Sequence, residues 1–230
     1  MRKEGPPRLG RRRARATRHD PRDQPRSPGR PVGASGDRTR ERVIGAALES
    51  FAERGFAGSS VRDIARKARI RVSSLYHYFP SKEALYEAVL TKLQQDVGEL
   101  TLGVLSRSKD IHTFLPEVVG RVFDFLLANP AYVKLGFHHR LEGVALLDQQ
   151  VAERWFGLMD GMLRTADNQG PAKAIDPAFL LVTVDGLVHW HIASAPFYRG
   201  LLGKGLEDAE LAQRAREHVI QVVMRVTGLE

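Results

Sequence analysis

The chain has 230 residues, a formal net charge of +8 and no cysteine, which excludes disulfides and thiolate metal sites and fits a reducing cytoplasm. Apolar residues make up 43% of it, enough for one large or two modest domains with real cores. The charge is uneven: residues 1–37 carry eleven Lys/Arg against four Asp/Glu, residues 38–92 eleven against six, and residues 93–230 thirteen against seventeen. A basic front and a mildly acidic back place any polyanion contact at the front.

In chain order, residues 1–36 come first, with six of the twelve prolines and Leu9 and Val32 as the larger apolar residues. Such a segment cannot bury enough surface to offset its ordering entropy, and a disordered Arg/Pro-rich tail is expected. Arg11, Arg12 and Arg13 make it either a basic arm that attracts phosphate or simply a solvated tail. No apolar run follows its positive charge, so it is not read as a secretory signal.

From Thr39 the periodicity turns helical: Val43, Ala47 and Phe51 recur every four residues beside Ile44 and Leu48, and Gly55 is the expected stop. Ser60 and Asp63 stand in the spacing of an N-terminal capping box, opening a short helix from Val61 to about Ala68 that buries Val61, Ile64, Ala65 and Ala68. A tight turn at Arg69, Ile70 and Arg71 leads to a second short helix, Val72 to about Tyr78. Pro80 ends it and Ser81 caps a long helix from Lys82. Further helices are predicted over 82–105, 111–128, 131–141, 144–166, 177–194 and 207–226, with breaks at 106–110, 129–130, 143, 168–171 and 196–205. The apolar stretch Ala178 to Ala195 contains Asp185, His189 and His191, which suits a buried helix better than a membrane span. The whole is all-α, with about nine helices.

Two short helices joined by a turn of three or four residues are the geometry that lets the second enter a DNA major groove. Arg62 lies on the exposed first turn of the first helix. The second opens with Val72, Ser73 and Ser74, then Tyr76 and His77, groups small enough or polar enough to approach base edges. Leu75 and Phe79 form its inward face, and Lys82 with the next helix N-terminus offers a phosphate seat.

The run from Thr39 to Leu90 resembles the DNA-binding domain of the TetR/AcrR family of bacterial regulators. The matching residues are Ile44, Ala47 and Phe51; Gly55 and Phe56; Ser60 to Ala65; Leu75, Tyr76, His77, Tyr78 and Phe79; and Ser81 to Leu85. The resemblance implies an N-terminal three-helix helix-turn-helix domain (residues 37–97, motif 60–79) and a larger helical effector-binding and dimerisation domain (98–230). It implies a cytoplasmic homodimeric repressor that reads a palindromic operator in double-stranded DNA and is released by a small apolar or amphipathic effector. The positions of Arg62, Val72, Ser73, Ser74, Tyr76, His77 and Lys82 would touch DNA, Tyr76 and Lys82 through phosphates, Val72 and Ser74 through bases. The match departs in the turn, where Arg69 replaces the usual glycine and Arg71 the usual capping hydroxyl; both add phosphate-seeking charge.

The C-terminal half carries no motif of that specificity. Leu211, Ala215, Val219, Val222 and Val226 make a stripe on the last helix. The preceding helix is apolar nearly all round, through Phe179, Leu180, Val182, Thr183, Leu187 and Trp190. A helix apolar on both sides needs cover on both, which places the dimer interface at Pro177–Ser194 and Glu207–Val226, with ordinary core as the competing explanation. Candidate effector-pocket residues are Phe114, Phe123, Phe137, Trp155, Met159, Met162 and His189, although aromatics and Met at helical spacing are more often plain core. His138 or His139 with Glu142 has chelating spacing, but no third ligand is in view, and His189 and His191 point to opposite sides of a helix. No metal or cofactor is expected. No catalytic signature is present, so an enzyme is not expected. The rival reading is an architectural or co-regulator protein that binds DNA through its basic arm without a small-molecule ligand.

Overall fold

The computed structural model describes residues 32–108, 110–141, 149–165 and 175–229, and ten helices lie among them. They are α1 (Val32–Gly58), α2 (Val61–Lys67), α3 (Val72–Tyr78), α4 (Lys82–Leu105), α5 (Ile111–Ala128), α6 (Pro130–Leu141), α7 (Gln149–Thr165), α8 (Pro177–Ala193), α9 (Ala195–Leu202) and α10 (Ala209–Thr227). Residues 1–31 of the expected tail, and the expected breaks at Gly143 and 168–171, lie outside the described residues; residues 32–36 do not continue the tail but open α1, seven residues before the expected start at Thr39.

The apolar periodicity of the first helix does what the pattern predicts: Val43, Ala47 and Phe51 are fully buried. They meet Ile64 and Ala65 of α2, Leu75 of α3, Phe79, and Leu85 and Val89 of α4 in one core cluster. Each large side chain so buried contributes roughly 1.5–3 kcal/mol relative to exposure. The Tyr86 ring meets Phe51 edge-on at 5.0 Å, the geometry aromatic quadrupoles favour. This cluster is the head. Gly55 ends the regular helix as expected, taking φ 68° and ψ 177°, and a short helical stretch continues beyond this kink to Gly58. A side chain there would also stand 3.3 Å from His138 Nδ1 of α6, so both the backbone and the packing call for glycine.

A second, larger cluster forms the body. Val104, Phe114, Phe123, Leu126, Tyr132, Met159, Val188, Leu211 and Val219 all belong to it. Helix α5 lies at its centre, against α4, α8 and α10. Helix α4 is shared: Leu85, Tyr86 and Val89 are buried in the head, Thr101 and Val104 in the body.

Two expectations are corrected. Residues 196–205 are not a break, because α9 occupies Ala195–Leu202. Pro196 stands in its first turn, where no amide donor is needed, and Gly203 closes it in the left-handed conformation at φ 73°. The stripe on α10 also continues differently: Leu211, Ala215, Val219, Val223 and Thr227 are buried, whereas Val226 is 61% exposed. Beyond Val219 the helical period selects Val223 over Val222.

Candidate nucleic-acid interface

The turn between α2 and α3 is built by backbone hydrogen bonds. Ile70 N donates to Ala65 O at 3.0 Å and Arg69 N to Arg66 O at 3.1 Å, the paired closure that ends a helix with one left-handed residue. That residue is Arg69, at φ 56°, the single non-glycine with positive φ among the described residues. A side chain does take the bend that a glycine would take without strain. Arg71 sits at the N-cap of α3 in extended conformation and makes no side-chain cap bond, since a guanidinium has no acceptor.

At the start of α2, Ser60 Oγ accepts from Arg62 N at 3.2 Å. Asp63 does not complete the box; its carboxylate takes Arg66 at 2.5 Å and Arg54 at 3.4 Å. Arg42 Nε donates to Ala68 O at 2.9 Å, holding the last turn of α2 from α1. Two further cations of the head are engaged: Lys67 pairs with Glu49 and Arg40 lies over the Phe79 ring. Arg62, Arg69 and Arg71, by contrast, are exposed and carry no ion pair among the described residues. Three uncompensated guanidinium groups therefore flank one short helix.

On that helix Leu75 is fully buried and Phe79 nearly so, pinning it to the head. Ser73, Tyr76 and His77 face solvent, Tyr76 at 47% exposure. Val72, Ser74 and Tyr78 are half-buried, and Val72 and Tyr78 lean on the head core. Lys82 is held against its own domain: its ammonium lies 4.4 Å from the Phe56 ring centroid and 3.5 Å from Ala57 O. Ser81 Oγ accepts from Ala84 N at 3.1 Å, capping α4. Beside it, hydrogen bonds from the backbone and from Ser81 hold the Glu83 carboxyl below the usual range. A rigid scaffold thus presents hydroxyl, phenol, imidazole and guanidinium groups together on one exposed face, the inventory that phosphate and base-edge contacts use.

The pocket candidates fall in or against the body core. Phe114, Phe123 and Met159 are fully buried, and Phe137 and Met162 pack against them half-buried. His189 is 9% exposed and meets the Phe137 ring at 6.4 Å. The side chain of Trp155 lies outside the described residues. His189 and His191 diverge: His189 Nδ1 lies 3.0 Å from Asp185 O, His191 Nδ1 2.5 Å from the Tyr198 hydroxyl. Burial and the nearby His218 push His191 below the ordinary imidazole range. His138 lies against Gly55, and His139 is buried with Nδ1 3.1 Å from the Tyr86 hydroxyl; Glu142 lies outside the described residues.

On α8, Phe179, Val182 and Trp190 are 73%, 68% and 67% exposed. Spaced three and eight residues apart, they share one side of the helix with exposed Gly186, while Leu180, Val188 and Ile192 enter the core. No single described helix is long and apolar enough to cross a membrane.

Sequence reasoning passed over several groups that build these sites. Arg42 reads as one more surface charge, and nothing in the spacing of Tyr86 and His139, 53 residues apart, announces their bond. Arg140 and Asp185, which pair between α6 and α8, are equally silent.

The sequence profile described as "Bacterial regulatory proteins, tetR family" matches residues 43–89. The chain is 27% identical over 140 residues to the HTH-type transcriptional repressor NicS of Pseudomonas putida, an overlap of 60% of this chain and 66% of that one. It is 25% identical over 188 residues to the HTH-type transcriptional regulator RutR of Escherichia coli, covering 80% and 88% of the two chains. Among solved structures, that of SCO4942 from Streptomyces coelicolor superposes with a TM-score of 0.64 at 26% identity, over 82% of this chain and 97% of the other.

Proposed function

The chain belongs to the TetR family of DNA-binding transcriptional regulators, and from that premise we infer that it is a cytoplasmic homodimeric repressor whose α3 reads one half of a palindromic operator. The observation that carries this reading is the trio Arg62, Arg69 and Arg71, which make no ion pair among the described residues, around the exposed Ser73, Tyr76 and His77. Arg62, Arg69, Arg71, Tyr76 and Lys82 supply phosphate contacts that set register; Val72, Ser73, Ser74 and His77 approach bases. Lys82 reaches a phosphate by leaving the Phe56 ring, a small cost for an exposed cation–π contact. The second copy covers the α8 face of Phe179, Val182 and Trp190 together with α10, since an exposed apolar face of this kind marks an interaction site. Pairing holds the two heads about one turn of DNA apart.

The body is the effector-binding part, and two helices connect it to the reading head. Helix α4 belongs to both cores. Helix α6 docks on the head through Leu135 in its core, His138 against Gly55 and His139 on Tyr86, and packs against α5 and α8 on its other side. An effector that binds more tightly when α6 and α4 are displaced moves the heads and disfavours the DNA-bound state.

The test is selection of bound sequences from a random duplex pool, followed by gel shift. A short palindrome should emerge, bound by a dimer, with affinity falling steeply with salt as phosphate contacts are lost. Equal affinity for any duplex would overturn the specific reading. The basic charge of residues 1–37 favours a second role, the arm as a non-specific anchor. Deleting it separates the two: a modest loss with a shallower salt slope assigns recognition to the head, and a near-total loss assigns binding to the arm.

A further inference from the structure

Between α6 and α8 lies a polar cluster that the DNA-reading role does not use. Arg140 Nη2 donates to Asp185 Oδ2, and His189 Nδ1 lies 3.0 Å from Asp185 Oδ1 and 3.0 Å from the Asp185 backbone oxygen. Both oxygens facing that nitrogen are acceptors, so Nδ1 carries the proton and Nε2 presents its lone pair in the neutral ring. Burial pushes the Asp185 carboxyl upward, yet hydrogen bonding and charge from His189 and Arg140 win and hold it below its ordinary range. Asp185 is therefore an anion with both oxygens committed.

Arg140 Nη1 is left over: it is buried and makes no hydrogen bond among the described residues. A buried guanidinium N–H without an acceptor is a costly arrangement, and Asp185 cannot turn to relieve it without releasing His189. The orphan nitrogen and His189 Nε2 converge on one spot over Gly136, 2.9 Å and 3.3 Å from where a Cβ would stand. A side chain at position 136 would crowd both nitrogens, so it is the glycine that lets them converge there. Phe137 walls the cluster, 6.4 Å from the His189 ring and 6.0 Å from the Arg140 guanidinium carbon. The apolar body core begins behind it.

We propose that Arg140, His189 and Gly136 form the head-group seat for a carboxylic acid with an apolar body; this rests on the reading of the C-terminal part as an effector domain. A carboxyl group offers both nitrogens a partner in either protonation state, which an ammonium, having no acceptor, does not. One of its oxygens accepts from Nη1 in a charge-assisted bond. The other either donates its O–H to Nε2 or, as a carboxylate, accepts from the protonated ring. In both forms the assembly of Arg140, Asp185, His189 and ligand, with that one proton, is neutral, which suits a half-buried cluster. Helix α6 carries the seat and the His139–Tyr86 bond on adjacent residues, so an acid filling the seat acts on the helix that docks on the head.

The experiment is thermal shift and isothermal titration of the full-length protein with octanoate and phenylacetate. The same skeletons as alcohols (1-octanol, 2-phenylethanol) and amines (octylamine, phenethylamine) serve as controls. At least one acid should bind and raise the melting temperature while its alcohol and amine do not. Arg140→Gln and Gly136→Ala should each weaken that acid about tenfold or more, the loss expected for one charge-assisted contact. Gly136→Ala guards against a folding artefact: the nearest atoms to its new Cβ are the movable end of Arg140 and the edge of the His189 ring. Its circular dichroism and dimer mass should match the parent. Binding of an alcohol or amine as tight as the acid, or acid binding indifferent to both substitutions, would overturn the seat while leaving an effector domain standing. Failure of both acids to bind overturns the seat. Insensitivity of operator binding to a broad neutral and charged compound set would be the separate result that removes the effector reading.

Discussion

The head and the body solve opposite problems with the same helices. In the head, the chemistry is on the surface: α2 and α3 have seven residues each, their inner faces pack, and their outer faces must match a phosphate and base pattern the protein does not control. In the body, the helices are longer and the chemistry faces inward or a flank. Phe114, Phe123 and Met159 need only fill volume, and many apolar residues do that equally well. A surface that must fit an invariant partner constrains residue identity; a core constrains mainly size and hydrophobicity. That is why nine consecutive residues from Leu75 to Glu83 point to a family, while the 138 residues from 93 onward contain no comparable string.

Separating the heads is the strongest test of that division. Phe179→Glu with Trp190→Glu charges the exposed face of α8 and should give a monomer by analytical ultracentrifugation. Loss of bivalent binding should weaken operator affinity by about 10²- to 10⁴-fold, with helicity unchanged. A dimer that persists would move the interface elsewhere. Next in size, Leu75→Ala removes the buried anchor of α3 and should cost about 2–5 kcal/mol of head stability. Hydrogen exchange should then show protection lost in α2 and α3 but kept in α5 and α10. Equal loss in both regions would mean that the two cores unfold as one.

A smaller effect probes the junction. Tyr86→Phe deletes the hydroxyl that reaches His139 and should cost about 1 kcal/mol, measured by urea denaturation. DNA affinity should hold while its response to effector weakens. Smallest is Arg69→Gly, which relieves the left-handed strain and should stabilise the head by up to about 1 kcal/mol. It also removes one cation, so the dependence of log affinity on log salt should become shallower by about one per head. Greater stability with weaker DNA binding would show that the departure from glycine serves the interface; unchanged salt dependence would make Arg69 a bystander.

Most helix boundaries were legible in the residues because their causes are local. Ser81 caps the helix it was expected to open, Asp110 at the end of an expected break caps α5, and α3, α4 and α5 run over the predicted spans. Helix α9 was hidden because Pro196 and Gly200 read as breakers, although a proline in the first turn costs a helix nothing. At the candidate interface, the exposed positions of Ser73, Tyr76 and His77 follow from helical period once Leu75 and Phe79 face inward, and that of Arg62 once Ile64 and Ala65 do. The engagement of Lys82 with Phe56 does not, since it depends on where the end of α1 lies.

By itself, then, the sequence determined the all-α class, the helix-turn-helix and the identity of its outward residues, because caps, periodicity and short turns act within a few residues. It also determined that Arg69 would have to accept a glycine's conformation. Tertiary structure alone decided which cations remain unpaired around α3, which nitrogen of Arg140 is orphaned over Gly136, and that His139 would meet Tyr86. Those are contacts between residues far apart in the chain, and no local rule encodes a distance that only packing sets.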